Sequence, residues 1–220
     1  MLQWSRWLRV AAGGTAWIAL AALVQPAAAE PREFSRTQAS ADAGRVVDWV
    51  RHSGDAQDRP FAVVDKRAAR LYVFDRRGQL VGQSPALLGS TPGDHTVPGV
   101  GARTQSGQLG ADERTTPAGR FETAPGRNLS GEHVVWVDYE SAFAIHRVRP
   151  GAAYKTRLQS LATPVADGKR LSWGCVVVPV DFYRTVVQPV LGAGRSVVYV
   201  LPETQPLQAF LDGLAAAKSL

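Results

Sequence analysis

The chain has 220 residues, of which 45% are hydrophobic and 20% are charged, and its formal net charge is +6. This length and apolar content predict one sizeable globular domain and exclude two domains of ordinary size. The sequence contains no P-loop, no zinc-ligand spacing and no G-x-S-x-G nucleophile elbow. We therefore expect neither a metal nor a cofactor.

The first 29 residues have the pattern of a secretory signal peptide. Arg6 and Arg9 give a basic start, residues 11–24 are apolar or small, and Ala27-Ala28-Ala29 fits a cleavage site. The apolar run of about 14 residues is shorter than the roughly 20 that span a bilayer, although an uncleaved anchor stays an alternative. Cleavage would leave 23 basic against 19 acidic residues, a formal charge of +4. We predict a periplasmic protein.

The chain that follows begins with a helical pattern and continues with strands. Residues 30–58 combine a polar lead-in with a short helix over 41–52, which Gly54 would end. From Phe61, the β-branched and aromatic runs FAVVD, RLYVFD and QLVGQ predict an antiparallel meander. This meander opens the main domain, which we place over residues 59–202.

A long loop is expected in the middle of this domain. Residues 89–120 are rich in glycine and proline and poor in large apolar side chains, which is typical of a functional loop. GVGAR at residues 99–103 lacks the third glycine of a dinucleotide loop and is assigned to the same loop. Two strands, HVVWVDY and AFAIHRV, follow, and a polar stretch then covers residues 150–170.

The last part of the chain predicts a mixture of short elements. SWGCVVVP indicates a loop that enters a short buried strand, and SVVYVL indicates a closing strand. Residues 181–187 are expected to form a helix capped by Asp181, and residues 203–220 a terminal helix. The predicted fold class is mainly β, with three peripheral α-helices.

Cys175 is the single cysteine of a chain that is predicted to enter an oxidising compartment. It therefore has no partner for an intramolecular disulfide. On that ground alone, a buried inert thiol and a reactive nucleophile are equal alternatives. Gly174 favours chemistry, because a tight glycine turn with exposed N–H groups can form an oxyanion hole.

A reactive thiol needs a neighbouring base to accept its proton. The chain has four histidines, and only His146 ends an apolar strand pattern, AFAI, that would hold its ring rigidly. His146 is therefore the predicted base, and His95 in the glycine-rich loop is the reserve. For either residue, a solvated surface imidazole is the alternative.

Three motifs in this order resemble the catalytic domain of the L,D-transpeptidase (YkuD-type) family. They are TTPAGRF at residues 115–121, AIH at residues 144–146 and SWGC at residues 172–175, after the opening VVDKRAARLYVFDRRG. The resemblance covers roughly residues 60–201. It implies a β-sandwich-like catalytic fold with a few peripheral α-helices, and acyl transfer through a cysteine thioester.

The resemblance also implies roles for individual residues. Cys175 would be the nucleophile and His146 the general base, while the backbone carbonyl of Arg147 would orient the imidazole. Ser172 would support the loop, and the backbone N–H groups of Gly174 and Cys175 would stabilise the oxyanion.

Two positions depart from the commoner family motif. Trp173 stands where that motif has a histidine, and Val177 stands where it has an arginine or asparagine. SWGCVVVP is more similar to a divergent branch of these domains. In that branch Trp173 would bind substrate as a wall of the acyl pocket.

The resemblance implies an L,D-transpeptidase that acts on peptidoglycan stem peptides, with an amine-bearing protein or peptide as acceptor and with carbapenem-type inhibitors. An L,D-carboxypeptidase that uses water as acceptor is one alternative. A non-catalytic cell-wall binding module of the same fold is the other. The mild positive charge suits an anionic cell-wall polymer. We expect a monomer and no nucleic-acid partner.

Cleavage of the signal peptide gives the first testable prediction. When the full chain is expressed with export, the protein recovered from the periplasmic fraction should begin near Glu30, because Ala29 ends the cleavage pattern. Intact-mass spectrometry and N-terminal sequencing measure this start. Recovery of periplasmic protein that still begins at Met1 would contradict the prediction.

Overall fold

The computed structural model describes residues 39–218, so the predicted signal peptide lies outside the described residues. The helices are α1 (Ala41–Ser53), α2 (Val100–Ser106), α3 (Tyr154–Ala162), α4 (Val180–Phe182), α5 (Gln188–Val190) and α6 (Leu207–Lys218), and a π-helical segment (Tyr183–Val187) joins α4 to α5. The strands are β1 (Phe61–Asp65), β2 (Arg70–Phe74), β3 (Leu80–Pro85), β4 (Leu88–Gly89), β5 (Gly119–Arg127), β6 (His133–Asp138), β7 (Phe143–Arg147), β8 (Arg170–Ser172), β9 (Val176–Val178) and β10 (Ser196–Val200). The predicted sheet-rich fold with a few helices is confirmed.

Eight strands form one sheet in the order β3-β2-β1-β10-β5-β6-β7-β9, and β4 pairs with β8 in a second, two-stranded sheet. Neighbours in the large sheet are antiparallel except for two parallel pairs, β1 with β10 and β7 with β9. The predicted meander over β1, β2 and β3 is confirmed, and so are the two predicted strands β6 and β7, which pair antiparallel.

The large sheet curves until its two edges approach each other. β3, at one edge, ends at Pro85, and two residues later Leu87 forms an antiparallel bridge with Val177 of β9, at the other edge. The two backbone hydrogen bonds of this bridge measure 2.7 and 2.9 Å. The concave side encloses the main core, which combines side chains from β1 and β2 with others from β6, β7 and β9.

The convex side of β1, β2 and β10 is covered by the first and last helices. Val46, Val47 and Val50 of α1 and Phe210 and Leu211 of α6 share a buried cluster with aromatic side chains of the sheet. Ser40 caps the start of α1, because its hydroxyl accepts the N–H of Ala43, and Gly54, with a φ of 64°, caps its end. Both predicted helices are therefore confirmed.

Two helices, α2 and α3, were not predicted from the sequence. α2 lies inside the glycine-rich segment that was expected to be a loop, between Gly99 and Gly107, which have φ values of 75° and 73°. α3 lies in the polar stretch, where Leu161 is its single buried residue. Lys169 stabilises its end by donating to the carbonyl oxygen of Thr163 at 2.9 Å.

β5 was missed because its sequence, GRFETAPGR, contains proline and glycine and buries only Thr123. The strand nevertheless lies in the middle of the sheet, between β10 and β6. The prediction that Asp181 caps its helix is wrong. Pro179 occupies the N-cap position without a side-chain cap, and Asp181 lies within the first turn.

A buried ion pair ties the glycine-rich segment to the meander. The side chains of Lys66 and Asp94 are both fully buried, with Nζ 2.7 Å from Oδ1, and Lys66 Nζ also donates to the carbonyl oxygen of Thr116 at 2.9 Å. Burial opposes ionisation of Asp94. The hydrogen bonds from Lys66, Thr204 and the Glu203 and Thr204 backbone outweigh it and hold the pKa of that carboxyl well below its usual range.

Within residues 39–218, no helix combines the length and the apolar character needed to cross a membrane. In the same part of the chain, no group of three or more His, Cys, Asp or Glu side chains is placed to hold a metal ion.

Removal of the buried carboxylate should strongly destabilise the fold. Asp94→Ala removes the closer of two carboxylates beside the buried Lys66 ammonium and leaves Glu203 Oε1 at 3.4 Å, so the loss should approach about 3–5 kcal/mol, the cost of a broken buried pair. The control is Asp42→Ala, because Asp42 pairs with Arg67 at 3.6 Å on the surface and such pairs contribute about 0–1 kcal/mol. Urea unfolding followed by tryptophan fluorescence gives both free energies. Equal losses in the two variants would contradict the structural role of the buried pair.

Candidate active site

The parallel pairing of β7 with β9 brings the two predicted reactive residues together. Ile145 pairs with Val176 and His146 with Val177, so Cys175 lies just before β9, on the side of Ala144. Side chains of a strand alternate between faces, and paired residues share a face. Cys175 and His146 therefore project from the same face of the sheet.

A hydrogen bond fixes the orientation and tautomer of the His146 ring. Its Nδ1 lies 2.8 Å from the backbone carbonyl oxygen of Arg147. A carbonyl oxygen can only accept, so Nδ1 carries the hydrogen in this bond. In the neutral ring, Nε2 is then the nitrogen with a lone pair that can take a proton.

The surroundings of His146 disfavour its protonated form. Burial and the positive charges of Arg149, Arg157 and Arg147 lower its pKa to about 3, although the hydrogen bond to Arg147 opposes this change. The imidazole is therefore neutral at pH 7. A neutral imidazole is the form that acts as a general base.

Cys175 is held as a thiol in the resting protein. Burial raises the pKa of the thiol, while the backbone of Ala144 and the charge of Arg149 partly oppose that rise. Its Sγ lies 3.5 Å from the carbonyl oxygen of Ala142, which accepts the thiol proton. The resting protein therefore presents a neutral thiol and a neutral imidazole on one face of the sheet.

Cys175 and His146 open into a common pocket of about 330 Å³. Its wall has an aromatic part, Trp136 and Tyr139, whose rings meet edge to face at 5.0 Å. The remaining lining residues come from α2, from the end of β5 and the turn after it, from β6, and from β7 and the residues on either side of it. They include Thr104, Gln105, Arg127, Asn128, Leu129, Ser130, Val134, Ala142, Ala144 and Arg149. The pocket therefore combines an aromatic wall with positive charge beside the thiol.

Ser172 and Gly174 hold the loop that carries the thiol. Ser172 Oγ accepts the N–H of Gly174 at 3.1 Å and donates to the carbonyl oxygen of Cys175 at 2.6 Å. Gly174 has a φ of 121°, and an added Cβ would lie 2.8 Å from the carbonyl oxygen of Thr115. Because the Gly174 N–H is used inside the loop, the Cys175 N–H is the remaining candidate for the oxyanion donor.

Two residues proposed from the sequence lie outside the pocket. Trp173 is 41% exposed and does not line the pocket; its ring lies against the guanidinium of Arg114, whose Cζ is 4.5 Å from the ring centroid. His95, the reserve base, is exposed and does not line the pocket either. Val177 is buried on the face that carries Cys175 and packs with Leu87 and other apolar residues.

No role was predicted for Arg149 or for the guanidinium of Arg147. Arg149 lines the pocket, and its Nε lies 2.8 Å from Oε2 of Glu132. Arg147 also pairs with Glu132, through its guanidinium. The signal available in the sequence was the alternation in HRVRP, which places basic residues directly after the predicted base.

No family model matches this chain, and no curated protein matches it. Three solved structures similar to it are the LD transpeptidase LdtMt1 in complex with imipenem, a fused Zn-dependent amidase/peptidase/peptidoglycan-binding domain-containing protein from Clostridium acetobutylicum, and the catalytic domain of the E. faecium L,D-transpeptidase. Their identities are 18%, 14% and 17%, over 64%, 71% and 66% of this chain, with TM-scores of 0.40, 0.36 and 0.32. The alignments cover 58%, 62% and 98% of those chains.

The backbone at Gly174 gives a prediction about stability. Gly174→Ala should lower the free energy of unfolding by more than the roughly 1–2 kcal/mol that a positive φ alone costs. The Cβ of the alanine would also meet the carbonyl oxygen of Thr115. Gly168→Ala is the control, since Gly168 has a φ of 77° with nothing within 4 Å of an added Cβ. Urea unfolding measures both losses. A Gly174→Ala loss no larger than that of Gly168→Ala would contradict the close packing of this loop.

Proposed function

We propose that the chain is a cysteine acyltransferase of the L,D-transpeptidase type, acting on peptidoglycan stem peptides through a thioester on Cys175. One observation carries this proposal: Cys175 and His146 open into the same pocket, with Nδ1 of His146 bonded to the Arg147 carbonyl. That bond leaves Nε2 to accept the thiol proton. The arrangement supplies a nucleophile, a base and an orienting group.

In the first step, the Cys175 S–H turns from the Ala142 carbonyl toward Nε2 of His146 and transfers its proton. The sulfur attacks the carbonyl carbon of the L,D bond after the third stem residue, and the carbonyl oxygen becomes an oxyanion. Collapse of the tetrahedral intermediate breaks the C–N bond. The departing D-alanine amine takes the proton back from His146, and the acyl group stays on sulfur.

In the second step, an amine attacks the thioester carbonyl while His146 accepts its proton. The thiolate then leaves and is reprotonated by the imidazolium. Water in place of the amine would make the protein an L,D-carboxypeptidase. The nucleophile, base and oxyanion donor serve both outcomes equally, so the choice depends on how the pocket positions the acceptor.

The charges around the pair favour the sulfur anion over the imidazolium. Arg149 lowers the pKa of both groups, which stabilises the thiolate and destabilises protonated His146. Ion-pair formation in the resting state is therefore disfavoured. We expect the proton to move from the thiol to His146 during attack on the substrate, because negative charge then passes from sulfur to the carbonyl oxygen.

The pocket suits a peptide that carries carboxylates. Arg127 and Arg149 provide positive charge, and Trp136 and Tyr139 provide apolar surface for the peptide chain. The same chemistry would allow a carbapenem to acylate Cys175. A periplasmic location and a monomeric state remain predictions from the sequence.

The second candidate is a cell-wall binding module that has lost turnover. Burial of Val177 favours it, because the face beside Cys175 then lacks the polar group that the commoner family motif has there. Such a module would bind stem peptides in the same pocket but would not form a thioester. Acylation of the thiol separates the two candidates.

Substitution of the two reactive residues tests the proposal. Wild-type protein incubated with a carbapenem should gain the mass of one inhibitor, and Cys175→Ala should gain none, because the attacking atom is missing. His146→Ala should acylate about 10²–10⁴-fold more slowly, since a positioned general base contributes that factor. Mass spectrometry measures each rate. His52→Ala is the control, because His52 lies on the exposed end of α1.

The pH dependence of these rates follows from the two altered pKa values. Because the pKa of His146 is lowered to about 3, the wild-type rate should show no acid limb near pH 6.5 and stay flat from about pH 5 to 8. His146→Ala should recover as the pH rises past 8.5, since hydroxide then ionises a thiol whose pKa burial has raised. Unfolded protein binds more protons at His146 between pH 3 and 6.5, so acid also destabilises the fold, and circular dichroism should confirm folding at each pH. A wild-type rate that halves near pH 6.5 would contradict the lowered pKa. An unaltered rate in Cys175→Ala would overturn the proposed function.

A further inference from the structure

Thr116 connects the glycine-rich segment to the loop that carries the nucleophile. Its side chain is fully buried, and its Oγ1 accepts the N–H of Gly89 at 2.9 Å and donates to the carbonyl oxygen of Gly174 at 2.8 Å. A hydroxyl has one hydrogen to donate, so the bond to Gly174 uses it. Thr116 lies in the TTPAGRF motif, where the sequence assigned it no role.

The peptide groups around Cys175 are held one by one. Ser172 Oγ binds the N–H of Gly174 and the carbonyl oxygen of Cys175. Thr116 donates to the carbonyl oxygen of Gly174. This oxygen belongs to the peptide group that joins Gly174 to Cys175. Two side chains, 56 positions apart in the sequence, therefore fix three successive peptide planes.

The hydrogen bond from Thr116 to the Gly174 carbonyl also constrains the N–H group of Cys175. The Gly174 carbonyl and the Cys175 N–H belong to one planar peptide group, and residues 39–218 contain no cis peptide bond. In a trans peptide the N–H points opposite to the C=O. Holding the carbonyl oxygen on Thr116 therefore fixes the direction of the Cys175 N–H.

We propose that Thr116 is a positioning residue that aims the Cys175 N–H at the oxyanion formed during acyl transfer. This inference rests on the proposed function, because it concerns the same reaction at the same thiol. Thr116 touches neither the substrate nor the sulfur in this role. It acts by preventing rotation of the peptide group between Gly174 and Cys175.

The backbone of Thr116 is itself held by a buried ion pair. Its carbonyl oxygen accepts from Lys66 Nζ, which is buried and paired with Asp94. Asp94 in turn accepts the backbone N–H groups of Glu203, Thr204 and Gln205 at 2.8–2.9 Å. The hydroxyl therefore comes from a rigid segment, which a positioning role requires.

The test compares two reactions of the same thiol. Acylation by a carbapenem passes through an oxyanion, whereas alkylation by iodoacetamide needs the thiolate but forms no oxyanion. In Thr116→Val, which removes the hydroxyl and keeps the shape, the acylation rate constant should fall by about 10², the factor known for one oxyanion donor. The alkylation rate between pH 6 and 9 should stay unchanged. Thr116→Ser restores the hydroxyl and should recover acylation.

Each outcome has a defined meaning. Equal losses of acylation and alkylation in Thr116→Val would show a general disturbance of the site and would overturn the positioning role. Unaltered acylation in Thr116→Val would also overturn it. Thr116→Ala is the second removal variant if Thr116→Val does not fold, and circular dichroism establishes folding. Failure of the wild-type protein to be acylated while alkylation proceeds would instead refute the proposed function.

Discussion

The parallel pairing of β7 with β9 is the constraint on which the candidate site depends. It places Cys175 one position before a strand whose partner carries His146, so both side chains leave the sheet on one face. A slip of one residue would turn one of them to the other face. The register is fixed by burial, because Ile145, Val176 and Val178 face the main core and are fully buried. The apolar run after the cysteine therefore determines where the sulfur lies.

A second constraint is electrostatic. Three arginines, Arg147, Arg149 and Arg157, act on the His146 ring, whereas Glu132 is the acid that pairs with Arg147 and Arg149. Burial and this excess of positive charge together lower the pKa of the imidazole, and the same charge leaves the pocket attractive to anions. The Arg147 carbonyl supplies orientation without negative charge, so it aligns the ring without raising its pKa as strongly as a carboxylate would. Burial favours the neutral form of both groups, whereas the arginine charges disfavour the imidazolium and oppose the effect of burial at the thiol.

The sequence predicted what depends on local pattern. The strands on either side of the site, α1, α6 and the sheet-rich class followed from apolar periodicity and glycine stops, and Cys175 and His146 came from short linear motifs. β5 could not be predicted, since a central strand made of polar residues, proline and glycine forms only because its neighbours supply the hydrogen bonds. The contact of Thr116 with Gly174, which are 58 positions apart, could not be predicted either. The same is true of the position of Arg149 near the thiol. These depend on how the sheet curves, which local periodicity does not encode.

The surroundings of Val177 show how such long-range packing determines which type of residue fits a position in a motif. Its side chain is 4% exposed and packs with Leu87, Val148 and Leu161, so the position opposite His146 is an apolar site closed by the bridge between the two sheet edges. An arginine there would bury its charge or break that bridge. Positive charge reaches the thiol from Arg149 instead, two residues beyond β7. The positive charge near Cys175 therefore comes from the segment after β7 and not from the position two residues after the cysteine.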